Sequence, residues 1–252
     1  MTTELLLDHL TKQLRMPTIG RNYRSLAREA EEHHLSYEAY LLALLEAEAA
    51  SREENQKQRR LKQASFPIQK TLDTYDFSLM PSLNRNRFLT LSKGEFVEKK
   101  ENLIFLGNSG TGKSHLATGL GLEMIKQGYK AKFITAADLV EELLMAHEEH
   151  RLGQLEKKWL KFDVIIVDEL GYVPFTKIGA ELLFQFFSSR YERASVILTT
   201  NLEFTEWTSI FGDEKMTAAL LDRLTHRAHI FLLNGESYRF RQSMKRRQEE
   251  IQ

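Results

Sequence analysis

Short, continuous apolar runs alternate with longer segments of helical periodicity from about Asn102 onward. Continuous apolar runs are typical of strands buried on both faces of a parallel sheet, and the segments between them are long enough to form covering helices. The predicted strands are Leu103–Leu106, Ala131–Thr135, Asp163–Val167, Val196–Thr200 and His229–Leu233. The pattern therefore predicts an α/β domain with a parallel sheet covered by helices.

The preceding part of the chain has apolar residues at helical spacing and no strand-like run. A first predicted helix ends at Met16-Pro17, because proline disfavours the helical conformation in the residue before it. A second helix is predicted from about Asn22 to His34, and Ser36 is expected to cap a third. We therefore predict a small all-helical N-terminal domain over residues 1–65, which binds DNA or a partner, and an α/β domain over residues 66–252.

Composition narrows the class of protein further. The sequence has 252 residues, 42% of them hydrophobic, with 35 basic and 35 acidic side chains and no cysteine. Because the charges balance, a nucleic-acid partner has to be inferred from local clusters of basic residues. The lack of cysteine excludes disulfides and thiol chemistry. No apolar run approaches the roughly 18 residues of a membrane span, and the N-terminus lacks a signal-peptide pattern. We expect a cytoplasmic protein without a membrane partner.

A glycine-rich segment follows the first predicted strand and opens a predicted helix. Its sequence is Gly107-Asn108-Ser109-Gly110-Thr111-Gly112-Lys113-Ser114. It fits the P-loop pattern, in which glycines let backbone amides approach phosphates and the helix N-terminus attracts the same anion. We predict that these eight residues bind a nucleoside triphosphate, with Lys113 at the β- and γ-phosphates and Ser114 on Mg²⁺.

Two adjacent acids, Asp168 and Glu169, follow the third predicted strand. Ligands bind at the carboxyl ends of parallel strands, which is where these acids are expected. Such a pair alone is often a solvated strand end, but one strand–helix–strand unit after a P-loop it predicts a catalytic site. Asp168 would complete the Mg²⁺ site begun by Ser114, and Glu169 would orient and polarise the attacking water. This pair favours an ATPase over a small-molecule kinase.

Three further polar residues are candidates for the same site. Asn201 ends the next apolar strand, where it is either a polar strand cap or a hydrogen-bonding partner of the γ-phosphate and the attacking water. Arg223 and Arg227 lie four residues apart on one predicted helix face. Such arginines either form surface ion pairs of little energetic value or neutralise transition-state charge at a neighbouring subunit's γ-phosphate. The second alternative requires an oligomer.

Taken in order, these motifs resemble the IstB family of AAA+ ATPases, which help the transposase of an insertion sequence. The most family-specific segments are Gly171-Tyr172-Val173-Pro174 and Gly235-Glu236-Ser237-Tyr238-Arg239. Replicative helicase loaders of the DnaC type share most of the motifs. The resemblance covers essentially the whole chain and implies a five-stranded AAA+ sheet, ATP with Mg²⁺, and homo-oligomers assembled on DNA.

The resemblance also assigns expected roles to individual residues. Asn201 becomes a candidate first sensor, Arg227 the first choice for an arginine finger and Arg223 the second. The related helicase loaders place an extra helix after the second strand, near DNA, and here that helix corresponds to about Ala136 to Lys161. Its candidate phosphate contacts are Arg151, Lys157, Lys158 and Lys161. No room is expected for the helical lid domain that carries the second sensor in many AAA+ proteins, so Arg239 or Arg241 would have to take its place. Tyr75 and Phe77, just before the core, would either border the adenine or pack in the linker.

The function that these observations favour is an ATP-controlled, DNA-binding factor that assists a transposase in target selection and insertion. Contacts to DNA would be mainly to phosphates and largely independent of sequence. The alternative is a DnaC-like loader of a replicative helicase. A small-molecule kinase would need an acceptor pocket and a lid, for which the sequence has no clear signal. A DNA-binding protein with a relic nucleotide site is disfavoured by the intact set Lys113, Ser114, Asp168 and Glu169.

Overall fold

A computed structural model describes residues 2–80, 83–172, 174–235, 237–238 and 240. The chain forms two compact units, which divide between Arg59 and Arg60. The predicted domain boundary at residues 65 and 66 stays a prediction. No helix in the described ranges is long and apolar enough to cross a membrane. Arg239 and Arg241, the expected substitutes for a second sensor, lie outside the described residues.

The first unit is helical, as predicted. Its helices are α1 (Thr3–Gln13), α2 (Pro17–Glu32) and α3 (Tyr37–Ala64), and the residues of α3 from Arg60 onward belong to the second unit. The predicted start of α2 at Asn22 is wrong, because proline's fixed φ suits the first position of a helix and α2 therefore begins at Pro17. The hydroxyl of Ser36 accepts a hydrogen bond from Ala39 N at 3.2 Å, which confirms the predicted cap.

A buried carboxylate, Glu48 of α3, caps the N-terminus of α2. Its Oε2 accepts hydrogen bonds from Thr18 N at 2.8 Å and Ile19 N at 3.2 Å, and its Oε1 accepts one from Arg52 Nε at 2.9 Å. The first amides of a helix lack partners within the helix, so an anion there is stabilising. Burial alone raises the pKa of Glu48, but the hydrogen bonds from Arg52, Ile19 and Thr18 outweigh it and the pKa lies below its ordinary value.

We expect Glu48→Gln to lower the free energy of unfolding of this unit by about 1–3 kcal/mol, because an amide cannot accept hydrogen bonds at both of its ends. Since folding lowers the pKa of Glu48, its stabilisation is present at neutral pH and is lost as the pH falls through the folded-state pKa. Urea unfolding at neutral and increasingly acidic pH measures both effects. Glu46→Gln, at an exposed position of the same helix, is the control, and equal losses in the two variants would contradict the assignment.

The second unit is a five-stranded parallel sheet covered by helices, with the strand order β2-β3-β4-β1-β5. The strands are β1 (Asn102–Leu106), β2 (Ala131–Thr135), β3 (Val164–Leu170), β4 (Ser195–Thr200) and β5 (Ala228–Leu232). The helices are α4 (Arg85–Leu91), α5 (Glu95–Glu98), α6 (Lys113–Lys126), α7 (Ala136–Glu148), α8 (Leu152–Trp159), α9 (Lys177–Arg190), α10 (Thr208–Phe211) and α11 (Glu214–Thr225). Short 3-10 helices cover Leu72–Thr74, Phe77–Leu79 and Phe204–Glu206. All five predicted strands are present, and the predicted fold class is confirmed.

Each face of the sheet carries its own apolar core. Ile165 and Val167 of β3 point into a core shared with α7, α8, α9, α10 and α11. Val164 and Ile166, which alternate with them, point into the opposite core, shared with α4, α5 and α6. Because both faces are buried, consecutive positions of such a strand can all be apolar. This accounts for the continuous apolar runs in the sequence.

Strand β3 is longer than predicted and irregular at its end. It continues to Leu170, and its register with β4 shifts between Val167 and Leu170. Glu169 lies inside the shift with φ 61°, a left-handed conformation that is uncommon outside glycine. Asp168 is buried and Glu169 is exposed. The two acids are therefore part of a distorted strand end, a local feature that commonly re-aims a side chain.

The single helix expected from Ala136 to Lys161 is wrong. Helix α7 ends at Glu148 and α8 begins at Leu152, because His150 adopts φ 55°. The break is closed by a hydrogen bond from Arg151 N to Ala146 O at 2.7 Å, which is typical of a helix C-terminus with a left-handed residue.

The expected helical pairing of Arg223 and Arg227 is also wrong. Helix α11 ends at Thr225, so Arg227 lies in the turn before β5. The sheet requires this turn, because Asn102 N at the start of β1 donates to Arg227 O at 2.7 Å.

A buried arginine, Arg190 of α9, joins three segments of the second unit. Its side chain is 1% exposed and donates to Trp159 O at 2.9 Å, Phe162 O at 3.0 Å and Ser195 O at 3.3 Å. Burial lowers the pKa of the guanidinium to about 9, and Asp163 opposes the shift. The group stays charged at neutral pH, and its three hydrogen bonds attach α9 to the carbonyl groups of Trp159, Phe162 and Ser195.

Candidate functional site

A cavity of about 420 Å³ lies where the chain leaves β1, β3 and β4. It is lined by the glycine-rich loop from Ser109 to Ser114, by Glu169 near the end of β3 and by Asn201 after β4. The carboxyl ends of parallel strands share one edge of the sheet, and β3, β4 and β1 are neighbours in the strand order. The sheet thus brings together three segments that are far apart in sequence.

Three glycines of the loop have left-handed backbone conformations, with φ 146° at Gly107, 83° at Gly110 and 90° at Gly112. A Cβ at Gly107 would overlap the carbonyl of Leu233, and one at Gly110 would overlap the Ser237 hydroxyl. The loop therefore needs glycine both for its conformation and for its close approach to the segment after β5. This is the backbone geometry that lets amides surround an anion.

Lys113 places a cation at the centre of this loop. The residue begins α6 and is 9% exposed, and its Nζ donates to Gly107 O and Asn108 O, each at 2.7 Å. The N-terminus of α6 adds the positive end of a helix dipole at the same place. A buried ammonium, a helix N-terminus and a glycine-rich loop together fit the phosphates of a nucleotide.

Ser114 and Asp168, the predicted Mg²⁺ ligands, are in direct contact. Ser114 Oγ donates to Asp168 Oδ1 at 2.8 Å. Thr199 Oγ1 also donates to Asp168 Oδ1, and it accepts a hydrogen bond from Glu169 N at 2.9 Å. Hydroxyl and carboxylate oxygens are the donors that Mg²⁺ prefers, so this set fits the ion. Thr199 was not singled out from the sequence, where a β-branched residue in an apolar strand reads as an ordinary strand former.

Several residues that the sequence reasoning passed over also line the cavity. Tyr238 N donates to Gly110 O at 3.0 Å, which attaches the segment after β5 to the glycine-rich loop. His115 Nε2 lies 2.8 Å from Thr71 O, and burial lowers the pKa of its ring. Tyr238 belongs to the family-specific segment Gly235–Arg239, so the sequence did contain an indication of its importance. His115 follows the loop directly, but nothing in the pattern assigns it a role.

Tyr75 and Phe77 differ in their relation to the cavity. Tyr75 lines the cavity, its hydroxyl lies 3.4 Å from Thr111 O, and burial raises the pKa of its phenol to about 12. A Cβ at Gly112 would lie 2.7 Å from the Tyr75 ring, so ring and loop are in close contact. Phe77 packs edge-on against Tyr75, with ring centroids 4.9 Å apart. Phe77 therefore packs behind Tyr75 and not against the cavity, which agrees with the alternative that it packs in the linker.

Neither candidate arginine finger is among the described residues that line this cavity. The Arg223 guanidinium lies 5.2 Å from the centre of the Phe184 ring, and its Nη1 donates to Ala219 O at 2.8 Å. Arg227 is exposed in the turn before β5. Arg223 therefore contacts both α9 and its own helix, whereas Arg227 lies in a turn.

The four candidate DNA contacts after β2 are all exposed. Arg151 forms an ion pair with Glu149, and Lys158 forms one with Glu142 at 2.7 Å. Lys157 and Lys161 form no ion pair with any residue that the structure describes. The cationic character of this surface therefore comes mainly from the latter two side chains.

A P-loop after β1, an acidic pair on β3 and the position of β1 between β4 and β5 define the protein as a P-loop ATPase of the AAA+ class. The chain belongs to the IstB-like ATP-binding protein family, whose model matches residues 9–246. This confirms the resemblance inferred from the motifs.

Two relatives illustrate the membership. The chain is 44% identical, over 95% of both sequences, to the ATP-binding protein of insertion sequence IS5376 from Geobacillus stearothermophilus. It is 36% identical to the ATP-binding protein of insertion sequence IS21 from Pseudomonas aeruginosa, over 95% of this chain and 90% of that one.

Solved structures agree on the fold. AMPPCP-bound DnaA from Aquifex aeolicus superposes with a TM-score of 0.56 at 16% identity, over 73% of this chain and 56% of that one. A DnaI structure superposes with a TM-score of 0.55 at 17% identity, over 65% of this chain and 90% of that one. At these identities the similarity concerns the fold alone.

Proposed function

We propose that the protein is a Mg²⁺-dependent ATPase that assembles as a homo-oligomer on DNA and assists the transposase of its own insertion sequence in target selection and insertion. The observation that carries the proposal is the joining of Ser114, Asp168 and Glu169 beside a complete phosphate loop. The family membership supports the link to insertion sequences.

Each residue of the site has a role in this proposal. The amides of Gly107–Ser114 and the ammonium of Lys113 hold the phosphates, and Ser114 and Asp168 hold Mg²⁺. The ion would neutralise charge on the phosphate oxygens. Glu169, exposed to the cavity, accepts a proton from the attacking water and orients it. Asn201 hydrogen-bonds the same water or the γ-phosphate.

An arginine from a neighbouring copy would complete the site, and the surroundings favour Arg227 over Arg223. Arg223 already lies over the Phe184 ring and donates to Ala219 O, so recruiting it would break both contacts. Arg227 is exposed and lies outside its own cavity, as a residue supplied to a neighbour would. A guanidinium in trans neutralises charge on the transferring phosphoryl group.

Sedimentation of the protein–DNA complex tests the ATP-controlled assembly. We expect larger complexes with ATP than with ADP, stabilised by Glu169→Gln and lost with Arg227→Ala, because hydrolysis is proposed to release the oligomer. Arg223→Ala is the matched control and should retain assembly. Complexes of one size in all nucleotide states would overturn the proposal, and stable capture of a hexameric helicase instead of the transposase would favour the loader alternative.

Contact with DNA phosphates is proposed for Lys157 and Lys161, the two of the four candidate cations that form no ion pair with a described residue. We expect the double substitution to alanine to weaken binding equally for different DNA sequences. It should also reduce the slope of log affinity against log salt by about 1 for each lost contact. Salt-titrated fluorescence anisotropy measures both. Lys99→Ala, exposed and paired with Glu95, is the control, and an unchanged slope in the double variant would exclude this surface.

A further inference from the structure

One hydroxyl group connects the two acids of the site. Thr199 lies in β4, beside β3, and is 1% exposed. Its Oγ1 donates to Asp168 Oδ1 and accepts the hydrogen bond of Glu169 N at 2.9 Å. Since Ser114 Oγ donates to the same carboxylate oxygen at 2.8 Å, Oδ1 of Asp168 is fully occupied by two hydroxyls. The carboxylate therefore has a fixed orientation.

The amide of Glu169 needs this partner because the strand is distorted at that point. The register between β3 and β4 shifts between Val167 and Leu170, so Glu169 has no partner in the regular ladder between these strands. Its φ of 61° is sparsely populated for a residue with a side chain and persists only where the surroundings hold it. Thr199 supplies that support, because its oxygen accepts the amide hydrogen bond that β4's backbone does not.

We propose that Thr199 is a positioning residue that fixes the metal-binding carboxylate of Asp168 and the water-activating carboxylate of Glu169 relative to each other. This inference rests on the proposed ATPase function and names an additional residue for it. The β-branched side chain restricts χ1, which keeps the hydroxyl between its two partners. Partners of metal-binding carboxylates commonly matter for metal affinity and activity almost as much as the carboxylates themselves.

The test compares Thr199→Val, which keeps the shape and removes the hydroxyl, with Thr199→Ser, which keeps the hydroxyl. The measurements are the Mg²⁺ concentration needed for half-maximal ATP hydrolysis, kcat, direct Mn²⁺ binding in the presence of ADP, and nucleotide affinity without a divalent ion. We expect Thr199→Val to raise the Mg²⁺ requirement and weaken Mn²⁺ binding by roughly 10-fold or more, and to lower kcat by about 10–100-fold. Metal-free nucleotide affinity should stay unchanged, and Thr199→Ser should restore metal binding and kcat to within a few fold.

The controls separate this proposal from the function on which it rests. Thr217→Val removes another buried threonine hydroxyl, on α11, and should leave the metal dependence unchanged. If Thr199→Val fails to fold, Thr199→Ala replaces it. Wild-type metal dependence in the hydroxyl-free variant, or no rescue by Thr199→Ser, would overturn the role of Thr199 while Asp168→Asn still abolishes hydrolysis. If Asp168→Asn also leaves hydrolysis and its Mg²⁺ dependence unchanged, the proposed ATPase site itself is wrong.

Discussion

Glu169→Gln should stop ATP turnover while leaving nucleotide binding intact. Glutamine has nearly the shape of glutamate, so the distorted end of β3 can be retained, but its amide cannot take a proton from water. General bases typically contribute about 10²–10⁴-fold to a rate, and we expect kcat to fall by that amount. Steady-state phosphate release measures turnover, and titration with a fluorescent ATP analogue measures binding.

A matched control for this substitution exists elsewhere in the chain. Glu192 is also an exposed glutamate with a positive φ, 57°, but it is not among the described residues that line the cavity. Glu192→Gln should therefore leave kcat at the wild-type value, because a side chain outside the cavity cannot reach the attacking water. Full turnover by Glu169→Gln would exclude Glu169 as the base and direct attention to another proton acceptor in the cavity.

The largest expected loss of stability comes from Arg190→Met. Methionine can fill much of the same volume, but the carbonyl groups of Trp159, Phe162 and Ser195 would lose a buried donor. Trp159 O keeps the hydrogen bond from Phe162 N, but all three lost bonds come from a charged donor. Such bonds contribute about 1.5–3 kcal/mol each, so we expect the free energy of unfolding to fall by roughly 3 kcal/mol or more. Urea unfolding followed by circular dichroism gives the value.

Arg193→Met is the matched control for this variant. Arg193 is an exposed arginine just after α9, and its Nη1 donates a long hydrogen bond of 3.5 Å to Ser189 O. Its replacement should change the free energy of unfolding by no more than ~0.5 kcal/mol. An equal effect of the two substitutions would mean that Arg190 contributes through its apolar stem and not through its hydrogen bonds.

The sheet could be predicted from the sequence because its strands are buried on both faces. In β3 every side chain from Val164 to Val167 enters one of the two cores, so the sequence shows an uninterrupted apolar run. The glycine-rich loop was predictable for a different reason. Its glycines adopt conformations or approaches that other residues cannot, and Lys113 and Ser114 follow at a fixed spacing. Local physical requirements are thus visible in the sequence.

Features decided by tertiary contact were missed or placed wrongly. Residues 149–151 contain neither glycine nor proline, so nothing local predicts that α7 ends there. The turn containing Arg227 arises because its carbonyl pairs with Asn102, more than a hundred residues earlier in the chain. Charged residues are depleted in strands, which made β3 seem to end before Asp168. For Arg227 and Asp168 a partner distant in sequence outweighed the local pattern, whereas the end of α7 follows from the left-handed conformation of His150.

The segment after β5 has a structural role that the sequence alone does not indicate. Gly235 to Arg239 was conspicuous only through the family resemblance, and Glu236 and Arg239 lie outside the described residues. The described part has a clear physical role, because Ser237 fills the space beside Gly110 and Tyr238 N bonds the carbonyl of the same glycine. The sequence could not reveal this contact, since more than a hundred residues separate its two sides.

The strand order also constrains how the protein is made. β1, which carries the glycine-rich loop, pairs only with β4 and β5, and both follow it late in the chain. Parallel pairings between such distant segments form slowly, since the connecting chain must first be closed into a loop. During synthesis β1 therefore has both edges unpaired until β4 has emerged from the ribosome, and one edge unpaired until β5 has emerged. A chain that stops before Ala228 lacks β5 and the Leu233 carbonyl against which Gly107 packs, so the nucleotide site is incomplete in any such product.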